Sequence, residues 1–178
     1  MTMMKAFFLA ALTAIFLVAC SQGETMQEQV CHIHGTVPMT YNGRRVYLVP
    51  LEGPATAMTV ETATIEGGAF EMTIDTTIMA KLLLHYSMDT QTLLVVTEPG
   101  EVHAIIDSVS HVGGTPLNDS LEHWKQETEA HNRQMVELRR QLMTRQADST
   151  HQAYMQFTHR MAVAVDSTVL GSFLSKQQ

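Results

Sequence analysis

Cysteine is scarce in this 178-residue chain: Cys20 and Cys31 are the only two, and no C-x-x-C pair exists. A dithiol redox centre within the chain is thereby excluded. Basic charge is sparse as well, with 11 Lys and Arg against 18 Asp and Glu. Nucleic acid needs a basic footprint, so that class of partner is excluded. The same balance argues against electrostatic docking on anionic lipid. There is no G-x-S-x-G nucleophile elbow and no Gly-rich phosphate loop. Gly and Pro are missing from Leu117 to Leu170, which leaves that stretch free of helix breakers.

Long apolar runs are missing too, with one exception at the start. Lys5 is followed by an uncharged apolar run, Ala6 to Ala19, that ends Leu17-Val18-Ala19-Cys20. The run is too short to span a bilayer comfortably and reads as a signal peptide over residues 1–19. A small residue before the cysteine resembles a bacterial lipobox. On that reading the mature chain begins at a lipidated Cys20 and is tethered to a membrane. Each buried CH₂ of the acyl chains contributes about 0.8 kcal/mol, and more than one chain gives stable anchoring. Ser21 does not resemble an inner-membrane retention signal, so an outer-membrane lipoprotein facing periplasm or surface is expected.

Removing residues 1–19 leaves 159, enough for one domain with a real core. Residues 20–29 are polar and aperiodic, as a tether would be. Cys31 is then alone and cannot form an internal disulfide. Charge is uneven: Cys20–Asn118 holds 3 basic and 11 acidic residues, and Asp119–Gln178 holds 7 of each.

From residue 30 to 114 the signals are those of strands. Arg45–Leu51 is β-rich, Ala57–Ile65 carries Thr and Val, and Phe70–Asp75 alternates apolar and polar after the turn Gly67-Gly68. Lys81–Tyr86 and Thr92–Val96 read as strands buried on both faces. Glu98-Pro99-Gly100-Glu101 fits a tight turn, which would pair Thr92–Val96 with Val102–Ile106. The expected fold is mainly β: an antiparallel β-sandwich or open barrel of seven to eight strands, followed by a C-terminal helical hairpin over residues 115–178. Thr115 is the expected N-cap and Pro116 the N1 residue. Leu117, Leu121, Trp124, Thr128, His131, Met135, Leu138 and Leu142 form one helical stripe. Thr128 and His131 weaken a coiled-coil seam, favouring packing on the sheet or helix on helix. A break is expected near Asp148-Ser149-Thr150.

His34-Gly35-Thr36-Val37, Arg45-Val46-Tyr47-Leu48, Glu66-Gly67-Gly68-Ala69-Phe70, Val96-Thr97-Glu98-Pro99-Gly100-Glu101 and Val112-Gly113-Gly114-Thr115-Pro116-Leu117-Asn118 occur in that order. Together they resemble a domain-of-unknown-function family (number 4369) common in envelope proteins of Bacteroidetes. In many members this domain precedes a thioredoxin-like domain. The chain stops at Gln178, about where such a domain would begin, and it holds no C-x-x-C. The resemblance therefore implies the accessory module, not the redox activity.

Cys31-His32-Ile33-His34 is the one local cluster of metal-ligand residue types. On a strand His32 and His34 share a face about 7 Å apart, and Cys31 points the other way. Zn²⁺ or Cu could use two His with a remote ligand, but the bland reading is a strand-edge pair beside a buried thiol. Glu98 and Glu101 flank a turn, and turn chemistry suffices to explain them. His123 and Glu127 form an i,i+4 surface pair. The ten methionines after the leader are dispersed, which suits core filling. The expectation is a non-catalytic envelope module anchored by Cys20, with no cofactor and with a thioredoxin-like protein as an implied partner. The alternative is a redox-assisting or metal-binding protein using Cys31 or His32 and His34.

Overall fold

The computed structural model describes residues 29–56, 58–84 and 92–178. The expected leader, Cys20, most of the tether and the end of the Lys81–Tyr86 segment lie outside the described residues. Eight strands come first: β1 (Cys31–Thr36), β2 (Arg45–Pro50), β3 (Glu61–Thr64), β4 (Ala69–Ile74), β5 (Met79–Leu83), β6 (Thr92–Val96), β7 (Gly100–Ile105) and β8 (His111–Gly113). Three helices follow, α1 (Pro116–Arg140), α2 (Thr144–Ala164) and α3 (Val169–Ser175).

The strands form two four-stranded sheets, ordered β4-β1-β7-β8 and β3-β2-β5-β6. Period-two alternation decides which side chains go inside. Ile33, Phe70, Met72, Val102 and Ala104 of the first sheet join Val46, Leu48, Leu82, Leu93 and Val95 of the second in one core. The sandwich expectation therefore holds, and the open-barrel alternative does not. Two further corrections apply. About 39% of the described residues are helical and about 30% are in strands, so the fold is not mainly β. The sheets are not wholly antiparallel either, because β1 and β7 run parallel, with Cys31 opposite Gly100 and Ile33 opposite Val102.

That parallel pair follows from the turn at Glu98-Pro99-Gly100. The expected hairpin between β6 and β7 does not form; the chain instead crosses from one sheet to the other. Thr97 makes the crossing possible. Its hydroxyl accepts the Ile78 N–H at 2.9 Å and donates to the Thr76 carbonyl at 2.5 Å, satisfying the backbone that leads into β5, while its own N–H donates to the Ile78 carbonyl at 3.0 Å. Gly100 then takes φ +126°, a conformation open chiefly to glycine. β3 also starts later than Ala57, at Glu61. Thr59 explains the delay: its hydroxyl donates to the Pro54 carbonyl and accepts the Thr56 N–H, a local turn that competes with strand pairing.

At the strand-to-helix junction, Thr115 is the N-cap residue but its side chain does not cap. Glu98 does so from a distance, accepting the Leu117 and Asn118 N–H groups at 2.6 and 3.2 Å. A carboxylate there also meets the positive end of the helix dipole. Asn118 is fully buried, and its amide is fully used. It accepts the Val96 N–H at 2.9 Å and donates to the Val96 carbonyl and to the Thr115 hydroxyl, both at 2.8 Å. Because β6 is an edge strand, this amide stands where another strand would. Glu122 ties α1 to β8. It accepts from Lys125, from the Val112 N–H and, through its other oxygen, from His111.

Leu121 and Trp124 carry α1 into the shared core. The helices cover the outer side of the second sheet, where Val49, Met79 and Val96 are buried on the face opposite the sandwich core. Beyond Trp124 the stripe packs helix on helix: Thr128 hydrogen-bonds the Tyr154 hydroxyl at 2.8 Å, and His131 stacks on the Tyr154 ring. The break falls at residues 141–143, not at Asp148-Ser149-Thr150, which lie within α2. Ser149 donates to the Arg145 carbonyl one turn back, so its hydroxyl continues the helix instead of starting one. The helical region has a third element, α3, beyond the expected hairpin. Thr168 caps it by accepting the Gly171 N–H.

Asn118→Ala leaves the Val96 N–H and carbonyl buried without partners, at about 1–3 kcal/mol for each group. Urea denaturation of the full chain is expected to show a loss of about 2–5 kcal/mol, and Asn118→Asp is expected to recover none of it, because its second oxygen would face the Val96 carbonyl in a buried site.

Candidate functional site

The outer face of the first sheet is open to solvent, and the histidines of β1 lie on it. Cys31, Ile33 and Gly35 face the core, while His32 and His34 face out, as the alternation requires. Strand order then gives each histidine different neighbours. His34 sits opposite Glu71 on β4 and opposite His103 on β7. Its Nε2 lies 2.6 Å from a Glu101 oxygen, its Nδ1 lies 3.5 Å from Glu71, and the His34 and His103 ring centroids are 5.9 Å apart. His32 meets only the Thr73 hydroxyl, at 3.2 Å.

The structure thus brings together His34, His103, Glu71 and Glu101, and does not join His34 to His32. Sequence reasoning missed Glu71 and His103 because they converge only through the order β4-β1-β7. The expected Glu98–Glu101 pair is split: one carboxylate caps α1 and the other holds His34. Among the described residues, no three His, Cys, Asp or Glu side chains converge as a metal-binding set. A groove of about 320 Å³ runs beside this patch, lined by His34, Gly35, Phe70, Glu71, His103 and Ile105 among others. The Glu71 and Glu101 carboxylates that flank the imidazole keep oxygens free to accept hydrogen bonds from an incoming polar group.

Cys31 cannot join that chemistry, since it points into the core from the opposite face of the same strand. It is 1% exposed. Burial, reinforced by Glu98 and Glu101, pushes its thiol up to about 11. The thiolate needed for nucleophilic or redox work is thereby disfavoured.

A second cleft, of about 490 Å³, lies between α1 and α2. His131 lines it, stacked on Tyr154 with centroids 4.2 Å apart and 5.6 Å from the His151 ring. Among the described residues, no hydrogen bond of good geometry reaches either ring nitrogen of His131. Burial first, then His151 and Arg139, holds its pKa below the ordinary histidine value, and the neighbouring Asn132 side chain opposes the shift only in part. His123 packs edge-on against Phe157.

The model of a family described as "Domain of unknown function (DUF4369)" matches residues 31–121. The chain belongs to this family. Neither curated proteins nor solved structures gave a match. The DUF4369 match begins with β1 and ends at Leu121, the first fully buried leucine of α1. The motifs that carried the resemblance do structural work. A Cβ on Gly35 would lie 2.0 Å from the Phe70 ring, so the aromatic occupies the space the glycine leaves. Gly67 and Gly68 turn the β3–β4 connection at φ +60° and +77°. Glu98 and Asn118 fasten α1.

Two outcomes follow. Folded protein is expected to resist alkylation at Cys31 and to react only after denaturation, read by intact mass. His131 binds its proton more weakly folded than unfolded, so its contribution is full above the ordinary value near 6.5 and is lost as pH falls below it. Urea midpoints measured down a pH series are expected to fall on the acid side, with a component that His131→Phe removes.

Proposed function

We propose that this DUF4369 chain is an envelope lipoprotein, held to a membrane through lipidated Cys20, that acts as a non-catalytic binding or accessory module. The single observation behind the binding role is the contrast between the two sheets. The outer side of one is covered by helices, and the outer side of the other presents the polar His34, His103, Glu71 and Glu101 patch beside a groove. The anchoring role is supported by the Leu17-Val18-Ala19-Cys20 pattern at the end of an apolar run. Family resemblance makes a separately encoded thioredoxin-like protein the first partner to test, and an outer-membrane position facing periplasm or surface the first location. The redox-assisting alternative would require Cys31 as thiolate, against its burial in the core. The metal-binding alternative would require His32 and His34 to share an ion with a remote ligand, although the strand order gives the two different neighbours.

Labelled palmitate is expected to enter the wild-type chain and to be absent from Cys20→Ala, whose intact mass should retain residues 1–19. Cross-linking in native cells, followed by purification, is expected to recover a recurring envelope partner whose yield drops with His34→Ala and Glu101→Ala together. No recurring partner, or one indifferent to that pair, would sink the binding role.

A further inference from the structure

From Leu138 to Ala147 the chain reads Leu-Arg-Arg-Gln-Leu-Met-Thr-Arg-Gln-Ala, three arginines between Glu137, which pairs with Arg140 at 3.5 Å, and Asp148. The fold turns this segment into the tip of the α1–α2 hairpin. Leu142 is 87% exposed and Met143 38%. Leu142 takes φ +56°, a conformation usually given to Gly or Asn at a helix end. Arg139 and Arg140 lie in the last turn of α1, where the helix dipole alone would favour cations. The dipole does not account for Arg145, which lies in the first turn of α2, where a cation is disfavoured. Nor does it account for an exposed leucine and methionine between the arginines.

We propose that the hairpin tip contacts an anionic phospholipid surface, with Leu142 and Met143 entering the interface and Arg139, Arg140 and Arg145 meeting phosphates. The net acidic charge of the whole chain does not govern this contact, because attraction to a membrane is decided within a Debye length, about 8 Å at physiological salt. A second copy of the chain is the poorer occupant, since docking two tips would bring six arginines together. Reach is adequate. The Val30 carbonyl accepts the Gly100 N–H, so the tether leaves from the end where Glu98 caps α1. The 25 residues of α1 place the tip about 37 Å from that end. The tether, residues 20–29, extends to at most about 36 Å, just under that length, so the tip meets the bilayer with α1 tilted toward it. The inference rests on the lipoprotein reading only for keeping the bilayer within that distance.

The test uses the full chain purified from membranes. Gln141→Cys is labelled with an environment-sensitive fluorophore, and the chain is reconstituted in vesicles of phosphatidylcholine with or without phosphatidylglycerol. Cys31 is buried and spared by the label. Intact mass of the same preparation reports acylation of Cys20. An unacylated chain overturns the lipoprotein reading, and the tip is then judged in a Cys20→Ser background. The expected result is a blue shift and quenching by nitroxide lipids in vesicles containing phosphatidylglycerol, reversed by salt. Arg139→Gln with Arg145→Gln should shift the contact equilibrium about thirtyfold, near fivefold per arginine. A label on Ser167→Cys should stay aqueous. Aqueous emission at residue 141, a shift equal in both lipids, or a concentration-dependent shift without vesicles would each overturn the proposal.

Discussion

The buried amide of Asn118 is the joint on which the two halves of this protein depend. An edge strand exposes a row of backbone donors and acceptors, and a helix start exposes unpaired N–H groups. At the junction of β6, the crossover and α1 these needs lie side by side, and they are met reciprocally. Asn118 of the helix satisfies Val96 of the strand, and Glu98, two residues beyond Val96, satisfies the N–H groups of Leu117 and Asn118. Removing either partner strands backbone groups on the other. The direction of α1 is set here, and with it the placement of Leu121 and Trp124 in the core and of the hairpin beyond.

The same crossover determines the open face. Had β6 and β7 formed a hairpin, β7 would have extended the second sheet and His103 and Glu101 would lie far from β1. Because the chain changes sheets at Glu98-Pro99-Gly100, β7 runs parallel beside β1. His34 then gains a histidine neighbour and a carboxylate 67 residues away in sequence. One turn thus produces both the helix cap and the polar patch.

Much of the architecture was legible in local pattern. Alternation placed Cys31 inside and His32 and His34 outside, Gly67-Gly68 marked a turn, and the stripe from Leu121 to Leu138 marked the face α1 turns inward. Pairing was not legible, because Glu98-Pro99-Gly100-Glu101 has the composition of a hairpin turn, and only the remote needs of Ile78, Thr76 and α1 redirect it. The helix break was missed for a related reason. Asp148 and Ser149 have capping chemistry, but Ser149 finds a carbonyl one turn back, while the true break uses Leu142 in a conformation that its residue type does not advertise. The His34 patch was half visible: residue types were plain on β1, but partners on β4 and β7 required the strand order.

Most of the residues by which the chain resembles DUF4369 do not converge on one place; His34 and Glu101, which meet at 2.6 Å, are the exception. Gly35 with Phe70 lies between β1 and β4, Gly67-Gly68 at the β3–β4 turn, and Glu98 with Asn118 at the start of α1. Each resolves a steric, conformational or hydrogen-bonding demand of the backbone. A shared chemistry would need its groups within a few ångströms of one another around a reacting atom. Gly35, Gly67, Gly68, Glu98 and Asn118 instead each solve a local folding problem. Folding leaves two surfaces without such duties. Here those are the outer face of the first sheet, where an imidazole is held between carboxylates, and the distal end of the helical hairpin, where leucine and methionine stand exposed among arginines. The core can hold both in fixed relation, because Leu121, Trp124, Leu170 and Leu174 pack into the same cluster as the strands.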